Sequence, residues 1–142
     1  MIWMMVQVAA GASDRRLYNE STLEYLETRP GSHPYPYPYG FIVGTSAEDG
    51  ACVDCYLITS DKVTAGSLVA CEPAGLLLQD EDGEIDHKVL AVLPGQEVVI
   101  GPGLLQELQE FIGAIFGEYP VRVGPILSRE AALDHLQKSR PA

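Results

Sequence analysis

The segment Gly66–Leu93, GSLVACEPAGLLLQDEDGEIDHKVLAVL, carries most of the information about the fold. SLVACEPAGLLLQ predicts one long β-strand or two short ones, and HKVLAVL predicts another. The acid-rich stretch DEDGEIDHK lies between them. A calcium-binding EF-hand loop is excluded, because counting from Asp80 puts glycine at the fourth position instead of the sixth and Ala91 at the twelfth instead of glutamate. A solvated acidic turn between two strands remains a sufficient explanation for these charges.

The rest of the chain predicts further strands and two late helices. Residues 2–9 favour a strand, and RRLYNESTLEYLE favours a hairpin with its turn near Asn19–Ser21. The proline-rich loop RPGSHPYPYPYG excludes a helix, and YGFIV and CVDCYLIT predict two more strands. Helical spacing begins after Pro102, a short strand PVRVG follows, and SREAALDHLQKS predicts a last helix with Ser128 as its N-cap. This order predicts an α+β fold, mainly β, with a small barrel and helices packed outside it.

Composition and charge exclude several classes of protein. The formal net charge of −11 at pH 7 argues against binding to nucleic acid or to an anionic membrane surface. The sequence MIWMMVQVAAGAS favours a first strand over a signal peptide, because no basic residue precedes Arg15. No segment reaches the roughly 20 apolar residues of a membrane span. Three cysteines do not suggest a secreted disulfide framework, so we expect a cytoplasmic location.

The stretch DGACVDC, residues 49–55, combines two acids with a C-x-x-C pair. A redox pair needs a thiolate of low pKa, usually at a helix N-terminus, whereas this pair is predicted to lie in a strand. Residues three apart in a strand point to opposite faces. Buried structural cysteines therefore explain Cys52 and Cys55 better than a redox site or half of a zinc site.

Acids that flank different strands suggest a metal site. Asp49 and Asp54 flank the start of one strand, and Asp80 and Asp86 flank another. If these carboxylates meet at one end of a barrel, they repel each other unless divalent cations such as Mg²⁺ neutralise them. Lysine, arginine and tyrosine nearby would suit a phosphate compound bridged to the metal.

Two stretches, YPYPYGFIVGTSAEDGACVD and GSLVACEPAGLLLQDEDGEIDHKVLAV, resemble the soluble Mg-dependent inorganic pyrophosphatases of family I. The family pattern is YPxNYGFIPGT, then D-G-D-P-x-D-V, then R-P-[IV]-G-x-L-x-M-x-D-E-x-G-x-D-x-K-x-x-A-V. The similarity runs from about Val6 to Val92, with a weaker continuation to about Val123. It implies one pyrophosphatase-like domain over residues 1–142, built as a five-stranded OB-like barrel with two flanking helices. It also implies metal-dependent hydrolysis of diphosphate and, by analogy, a homo-oligomer such as the hexamers of bacteria.

The resemblance assigns roles residue by residue. It implies Mg²⁺, with Mn²⁺ as an alternative, held by four aspartates, and phosphate bound by two arginines, a lysine and a tyrosine. The implied metal ligands are Asp49, Asp54, Asp80 and Asp86, and the implied catalytic and phosphate-binding residues are Lys88, Arg29, Tyr39 and Arg16.

Several positions depart from the family pattern. The middle acid of D-G-D-P, which in the family helps to activate the attacking water, is Ala51. The N-terminal glutamate is Gln7, a second glutamate falls on Tyr18 or Asn19, and the late tyrosine–lysine phosphate clamp has no counterpart in FIGAIFGEYP. Two hypotheses follow: a pyrophosphatase of reduced activity, or an inactive relative that serves as a metal- and phosphate-binding or assembly module.

Overall fold

Nine strands and two helices make up the part of the chain that the structure, a computed structural model, describes, which is residues 1–140. The last two positions of the predicted 1–142 domain lie outside the described residues. The strands are β1 (Ile2–Val8), β2 (Arg15–Tyr18), β3 (Tyr25–Arg29), β4 (Tyr39–Ile42), β5 (Asp54–Leu57), β6 (Leu68–Glu81), β7 (Glu84–Ile85), β8 (Lys88–Val92) and β9 (Arg122–Leu127). The helices are α1 (Pro102–Phe116) and α2 (Arg129–Lys138).

Five of the strands form a closed ring. β1 pairs with β4 on one side and with β6 on the other, and β5 and β8 complete the circuit in the order β1-β4-β5-β8-β6. All neighbours are antiparallel except β5 and β8, which run parallel. Closure leaves these five strands without a free edge inside the ring. The predicted fold class, α+β and mainly β with a five-stranded OB-like ring and two helices, is confirmed.

Apolar side chains alternate between the two faces of the ring wall along each strand, and each face packs into its own apolar cluster. Met4 and Val6 pack with Cys55 and Leu57 in one apolar cluster, which α2 covers with Ala132 and Leu136. A second cluster joins the other face of the sheet to α1. Its fully or largely buried members include Val8, Tyr56, Leu77, Leu90, Leu108, Phe111 and Ile112. Burying these faces supplies most of the driving force for folding, at roughly 25 cal/mol per Å² of apolar surface.

The long strand β6 crosses the whole molecule and carries the acidic turn at its end. Its register against β8 shifts between Pro73 and Gly75, and the bulge bends the strand so that it also pairs with β9. A Cβ at Gly75 would lie 3.1 Å from the carbonyl oxygen of Leu127, so glycine permits this close approach. The strand then extends to Glu81 and turns back into β7. The prediction of one long strand or two short ones is resolved as one strand with a bulge.

The two helices begin as the sequence indicates. Pro102 lies at the first helical turn of α1, where its missing N–H costs nothing. Ser128 caps α2, because its hydroxyl accepts a hydrogen bond from Ala131 N at 3.2 Å. No helix in residues 1–140 is both long enough and apolar enough to cross a membrane.

Strand β5 begins later than predicted. It starts at Asp54, so Cys52 lies in the preceding turn and only Cys55 is a strand residue. Gly50 adopts a φ of 85° in this turn, a conformation that glycine favours. Five residues of the stretch DGACVDC, 49–53, therefore lie in the loop before β5, and only Asp54 and Cys55 belong to the strand.

Candidate active site

A pocket of about 320 Å³ opens at one end of the ring, where β5, β6 and β8 meet the β2–β3 hairpin and α1. Its walls combine carboxylates, cations and tyrosines in a small space. The lining residues are Arg15, Glu20, Tyr35, Tyr39, Asp49, Ala51, Asp54, Tyr56, Gln79, Glu81, Asp86, Lys88, Ile112, Ile115 and Phe116. Five of the predicted site residues are among them: Asp49, Asp54, Asp86, Lys88 and Tyr39.

Lys88 lies at the centre of the strand side of the pocket. Its ammonium donates to Asp54 Oδ2 at 2.6 Å and to Asp86 Oδ2 at 2.9 Å, and it also contacts the hydroxyl of Tyr39 at 3.2 Å. The parallel register explains this meeting, because Asp54 of β5 lies beside Lys88 of β8. Only 6% of the Lys88 side chain is exposed, so both ion pairs are largely shielded from water.

The pKa values of Lys88, Asp86 and Tyr39 depend on burial and on the charges of their neighbours. Burial works against the charged form of Lys88, but the carboxylates of Asp54 and Asp86 outweigh it and hold the lysine pKa above its ordinary value. Burial likewise works against ionised Asp86, yet the Lys88 ammonium holds the pKa of that carboxyl below its ordinary value. Burial, followed by the Asp54 charge, raises the pKa of Tyr39. At neutral pH the lysine and Asp86 are therefore charged and the tyrosine is neutral.

Neighbouring arginines of β2 face opposite ways. Arg15 lines the pocket with its guanidinium 5.5 Å from the centre of the Tyr39 ring, and its buried Nε has no hydrogen-bond partner. Arg16 points away, where its Nε donates to Tyr18 Oη at 2.6 Å and its guanidinium lies over the Tyr25 ring. The structure thus brings Arg15 to the pocket, and not the predicted Arg16, because successive strand residues alternate faces.

Two other predicted residues do not line the pocket. Arg29 is exposed on β3 and pairs with Glu27 at 2.8 Å. Asp80 caps the acidic turn by accepting a hydrogen bond from Gly83 N at 2.6 Å. The next residue of β6, Glu81, turns its carboxylate into the pocket beside Asp86. Burial and the Asp86 carboxylate raise the pKa of Glu81.

The loop side of the pocket contains a carboxylate that the sequence did not single out. Glu20, in the turn of the β2–β3 hairpin, reaches across to accept a hydrogen bond from Cys52 N at 2.8 Å. Asp49 accepts one from Ala51 N at 3.0 Å. Ala51 also lines the pocket. Asp49 lies two residues before it, and Glu20 is hydrogen-bonded to the residue that follows it, Cys52.

The acids are near one another but do not form a ready cation cage. Among residues 1–140, no three histidine, cysteine, aspartate or glutamate side chains already have the arrangement to hold a metal ion. The ammonium of Lys88 provides the positive charge between Asp54 and Asp86 instead. The cysteines take no part: Cys55 and Cys71 are buried in the ring as free thiols, and Cys52 is half-buried in the turn.

A sequence model described as inorganic pyrophosphatase matches residues 12–114 of this chain. The chain belongs to the inorganic pyrophosphatase family. Among its relatives, the inorganic pyrophosphatase of Nanoarchaeum equitans is 29% identical over 109 residues, which cover 77% of this chain and 68% of that protein. The inorganic pyrophosphatase of Aquifex pyrophilus is 48% identical over 59 residues, covering 41% of this chain and only 33% of the relative.

The fold of this family member also matches solved pyrophosphatases. The crystal structure of the inorganic pyrophosphatase from Thermus thermophilus superposes with a TM-score of 0.78 and 27% identity, covering 96% of this chain and 87% of that one. The similarity therefore extends over nearly the whole ring and both helices.

Family spacing explains why Glu81 lines the pocket. When the third motif is aligned without a gap from Pro73 and Gly75 to Lys88, its first acid falls on Glu81 and its methionine on Gln79. Strand alternation, counted forward from Gln79, which lines the pocket, gives the same result. The motif spacing was already present in the sequence. By contrast, no local pattern indicates that Glu20 reaches Cys52, because this contact joins residues 32 positions apart.

Proposed function

We propose that this pocket hydrolyses diphosphate to two phosphates with the help of divalent metal ions. The observation that carries the proposal is the interleaving of two cations, the buried Lys88 and the partly buried Arg15, with five carboxylates in one cavity. Cations alone would suit any anion, and carboxylates alone would suit any hard cation. Their combination suits a phosphate compound that enters together with metal. Family membership implies dependence on a divalent metal ion.

The chemistry of the pocket fits Mg²⁺, with Mn²⁺ as the alternative. Asp49, Asp54, Glu81 and Asp86 would hold the ions, with Glu81 in place of Asp80. Carboxylate oxygens are the ligands these hard cations prefer, and the unpartnered carbonyl oxygen of Gln79 adds another oxygen to the same wall. Bound cations would neutralise the diphosphate and make an attacking water more acidic.

Arg15, Lys88 and Tyr39 would bind the phosphoryl oxygens. Arg15 carries a buried N–H with no acceptor in the protein, so an anion in the pocket would satisfy it. A diphosphate oxygen would also compete with Asp54 and Asp86 for the Lys88 ammonium. These donors would stabilise the negative charge that grows on the leaving phosphate in the transition state.

Ala51 sets the expected rate. Its methyl group cannot accept a proton, and the carboxylates that flank it, Glu20 and Asp49, each already accept a backbone hydrogen bond. Loss of a positioned general base typically costs about 10²–10⁴-fold in rate. We therefore expect turnover below that of a family member with the acid. The same methyl group favours the second candidate function, an inactive relative that binds metal and phosphate.

The neighbouring arginines provide a matched test. In a phosphate-release assay with diphosphate and Mg²⁺, the wild type should release phosphate and Arg15→Gln should lower the rate at least about tenfold, since a charge-assisted contact with a phosphoryl oxygen is lost. Arg16→Gln, on the other face of the same strand, should change the rate less than about twofold. Equal effects of the two substitutions would contradict the assignment, and no release by the wild type would favour the inactive relative.

The remaining expectations concern the whole protein. We propose that residues 1–142 form one pyrophosphatase-like domain, that the protein is cytoplasmic, and that it is a homo-oligomer, with the hexamer as the family analogy. The free thiols fit a reducing compartment. The outward-facing Trp3 and Leu68, both about half exposed on β1 and β6, offer apolar area for contact between copies. Light scattering after size-exclusion chromatography measures the assembly.

A further inference from the structure

Gln79 is a buried amide in the wall of the pocket with one half of its hydrogen bonding unmet. The residue is 2% exposed, and its side-chain Nε2 donates to Glu81 Oε2 at 2.8 Å. Its Oε1 is buried and has no hydrogen-bond partner. The backbone is held on both sides, because Gln79 N donates to His87 Nδ1 and Gln79 O accepts from Asp86 N, each at 3.0 Å. The side chain is thus anchored beside the acids.

The orientation of the amide follows from Glu81. If the amide were turned around, its oxygen would face the carboxylate of Glu81, and two acceptors would be in contact. The donor half must therefore face Glu81, which leaves the carbonyl oxygen as the free atom. A carbonyl oxygen only accepts, so its missing partner is either a hydrogen-bond donor or a cation.

Nearby protein groups do not supply a donor. The ammonium of Lys88, a cation that lines the same pocket, directs its described bonds to Asp54, Asp86 and Tyr39. Glu81 and Asp86 only accept when ionised. A buried carbonyl oxygen without a hydrogen-bond partner is unfavourable, and the family pattern has an apolar methionine at this position. A ligand bound to this oxygen would explain why the chain has glutamine here.

We propose that Gln79 Oε1 is an oxygen ligand of the divalent cation that Glu81 helps to hold, and that it favours Mn²⁺ over Mg²⁺. The inference rests on the metal dependence in the proposed function. Amide carbonyl oxygens bind hard divalent cations. Mg²⁺ sheds its water reluctantly and is usually held by one or two carboxylates, so an additional protein oxygen benefits it less than Mn²⁺. Gln79 thus acts as a specificity-determining residue for the metal.

The test measures Mn²⁺ binding without turnover, by the loss of the free-ion electron paramagnetic resonance signal, with Mg²⁺ measured by competition. Gln79→Met should weaken Mn²⁺ binding about tenfold or more, the lower end of the range for groups that support a metal site. Mg²⁺ binding should weaken less, so that the Mn²⁺ preference falls. Gln79→Glu retains an oxygen at this place but loses the donor to Glu81, and it should keep Mn²⁺ affinity within about threefold of the wild type.

A control separates this role from a structural one. Gln96→Met removes another amide that donates to a carboxylate, that of Asp61, but both of its polar atoms are partnered and it lies outside the pocket. It should leave Mn²⁺ affinity unchanged. The melting temperature of each metal-free variant shows that it is folded.

The outcomes distinguish the inference from the function on which it rests. Equal loss of affinity in Gln79→Met and Gln79→Glu would mean that the residue acts only through Glu81, and it would overturn the assignment of the carbonyl oxygen. Unchanged affinity in Gln79→Met would overturn it as well. If the wild type itself bound no Mn²⁺ or Mg²⁺, the metal dependence of the proposed function would fail with it.

Discussion

The two walls of the pocket are built in different ways. The strand wall consists of Tyr39, Asp54, Glu81, Asp86 and Lys88, and hydrogen-bonded ladders or the segments next to them fix its positions. The loop wall consists of Glu20, Asp49 and Ala51, and turns fix its positions. The strand wall buries paired charges, whereas Asp49 is exposed. Changes in the strand wall should therefore affect both stability and function, and changes in the loop wall should affect mainly function.

The largest effect is expected at Lys88. Lys88→Met leaves Asp54 and Asp86 without their shared cation, and breaking a buried ion pair from one side typically costs about 3–5 kcal/mol. The free energy of unfolding, measured in urea, should fall by about that amount. Lys138→Met removes an exposed ion pair with Asp134 and should cost no more than about 1 kcal/mol. Similar losses of unfolding free energy in the two variants would show that the ion pairs of the strand wall contribute no more to stability than an exposed ion pair.

Metal binding should also depend on the strand wall. At a Mg²⁺ concentration of about 100 times its dissociation constant, binding to the native state alone should stabilise the wild type by about 2.7 kcal/mol and raise its melting temperature. Asp86→Asn should abolish the rise, because it removes a carboxylate ligand. The metal-free melting temperature of the variant serves as its own reference. A full Mg²⁺-dependent rise in Asp86→Asn would remove Asp86 from the metal site.

In the loop wall, Ala51→Asp should change the rate with little change in stability. The new carboxylate would line the pocket between Glu20 and Asp49 and accept a proton from the attacking water. We expect the rate of phosphate release to rise about tenfold, which corresponds to a barrier lower by about 1.4 kcal/mol. This gain is smaller than the full effect of a general base, because Gln7 and the absent tyrosine–lysine clamp also limit the rate. Ala51→Asn has nearly the same shape without the base and should give no gain. Equal gains from the two substitutions would argue against proton transfer.

A smaller effect is expected where the tyrosine–proline loop meets α1. Tyr37 Oη donates to Glu107 Oε1 at 2.5 Å, and partial burial followed by this hydrogen bond raises the pKa of Tyr37 to about 12. The folded state holds this proton more tightly than the unfolded chain, whose tyrosine pKa is about 10. The stabilisation is therefore complete below pH 10 and is lost as the pH rises towards 12.

Tyr37→Phe tests that contact. It should lower the free energy of unfolding at pH 7 by no more than about 1 kcal/mol, and it should reduce the fall in stability between pH 10 and 12. Tyr119→Phe, at an exposed tyrosine beyond the end of α1, is the control and should leave the alkaline fall unchanged. An alkaline fall in Tyr37→Phe as steep as that of the wild type would show that the loop is held by other contacts.

The sequence predicts the strand wall better than the loop wall, for a physical reason. Strand residues follow a period of two, so Asp54, Asp86 and Lys88 could be placed together from motif and alternation alone. Even there, an error of one residue exchanges the faces, as Asp80 and Glu81 show. The same holds for Arg16 and Arg15, where the hairpin register shifts nearby between Leu17 and Tyr18.

The loop wall depends on contacts between distant segments. Glu20 reaches the pocket because the hairpin turn folds onto the turn before β5, and nothing in the spacing of either segment encodes that contact. The hydrogen-bonding state of Gln79 likewise depends on a burial that only the assembled ring creates. Periodicity predicts elements and faces, but it does not predict which turns meet.

The central claim is that the strand wall uses Glu81, and not Asp80, to support hydrolysis of diphosphate. Phosphorus NMR of diphosphate mixed with the wild type and Mg²⁺ tests it directly, since the diphosphate and phosphate resonances are followed separately. We predict that the wild type converts diphosphate to phosphate, that Asp80→Asn does so at a similar rate, and that Glu81→Gln is slower by at least about tenfold. Conversion that is lost in Asp80→Asn and kept in Glu81→Gln would contradict the account, as would intact diphosphate in a wild-type sample that binds Mg²⁺.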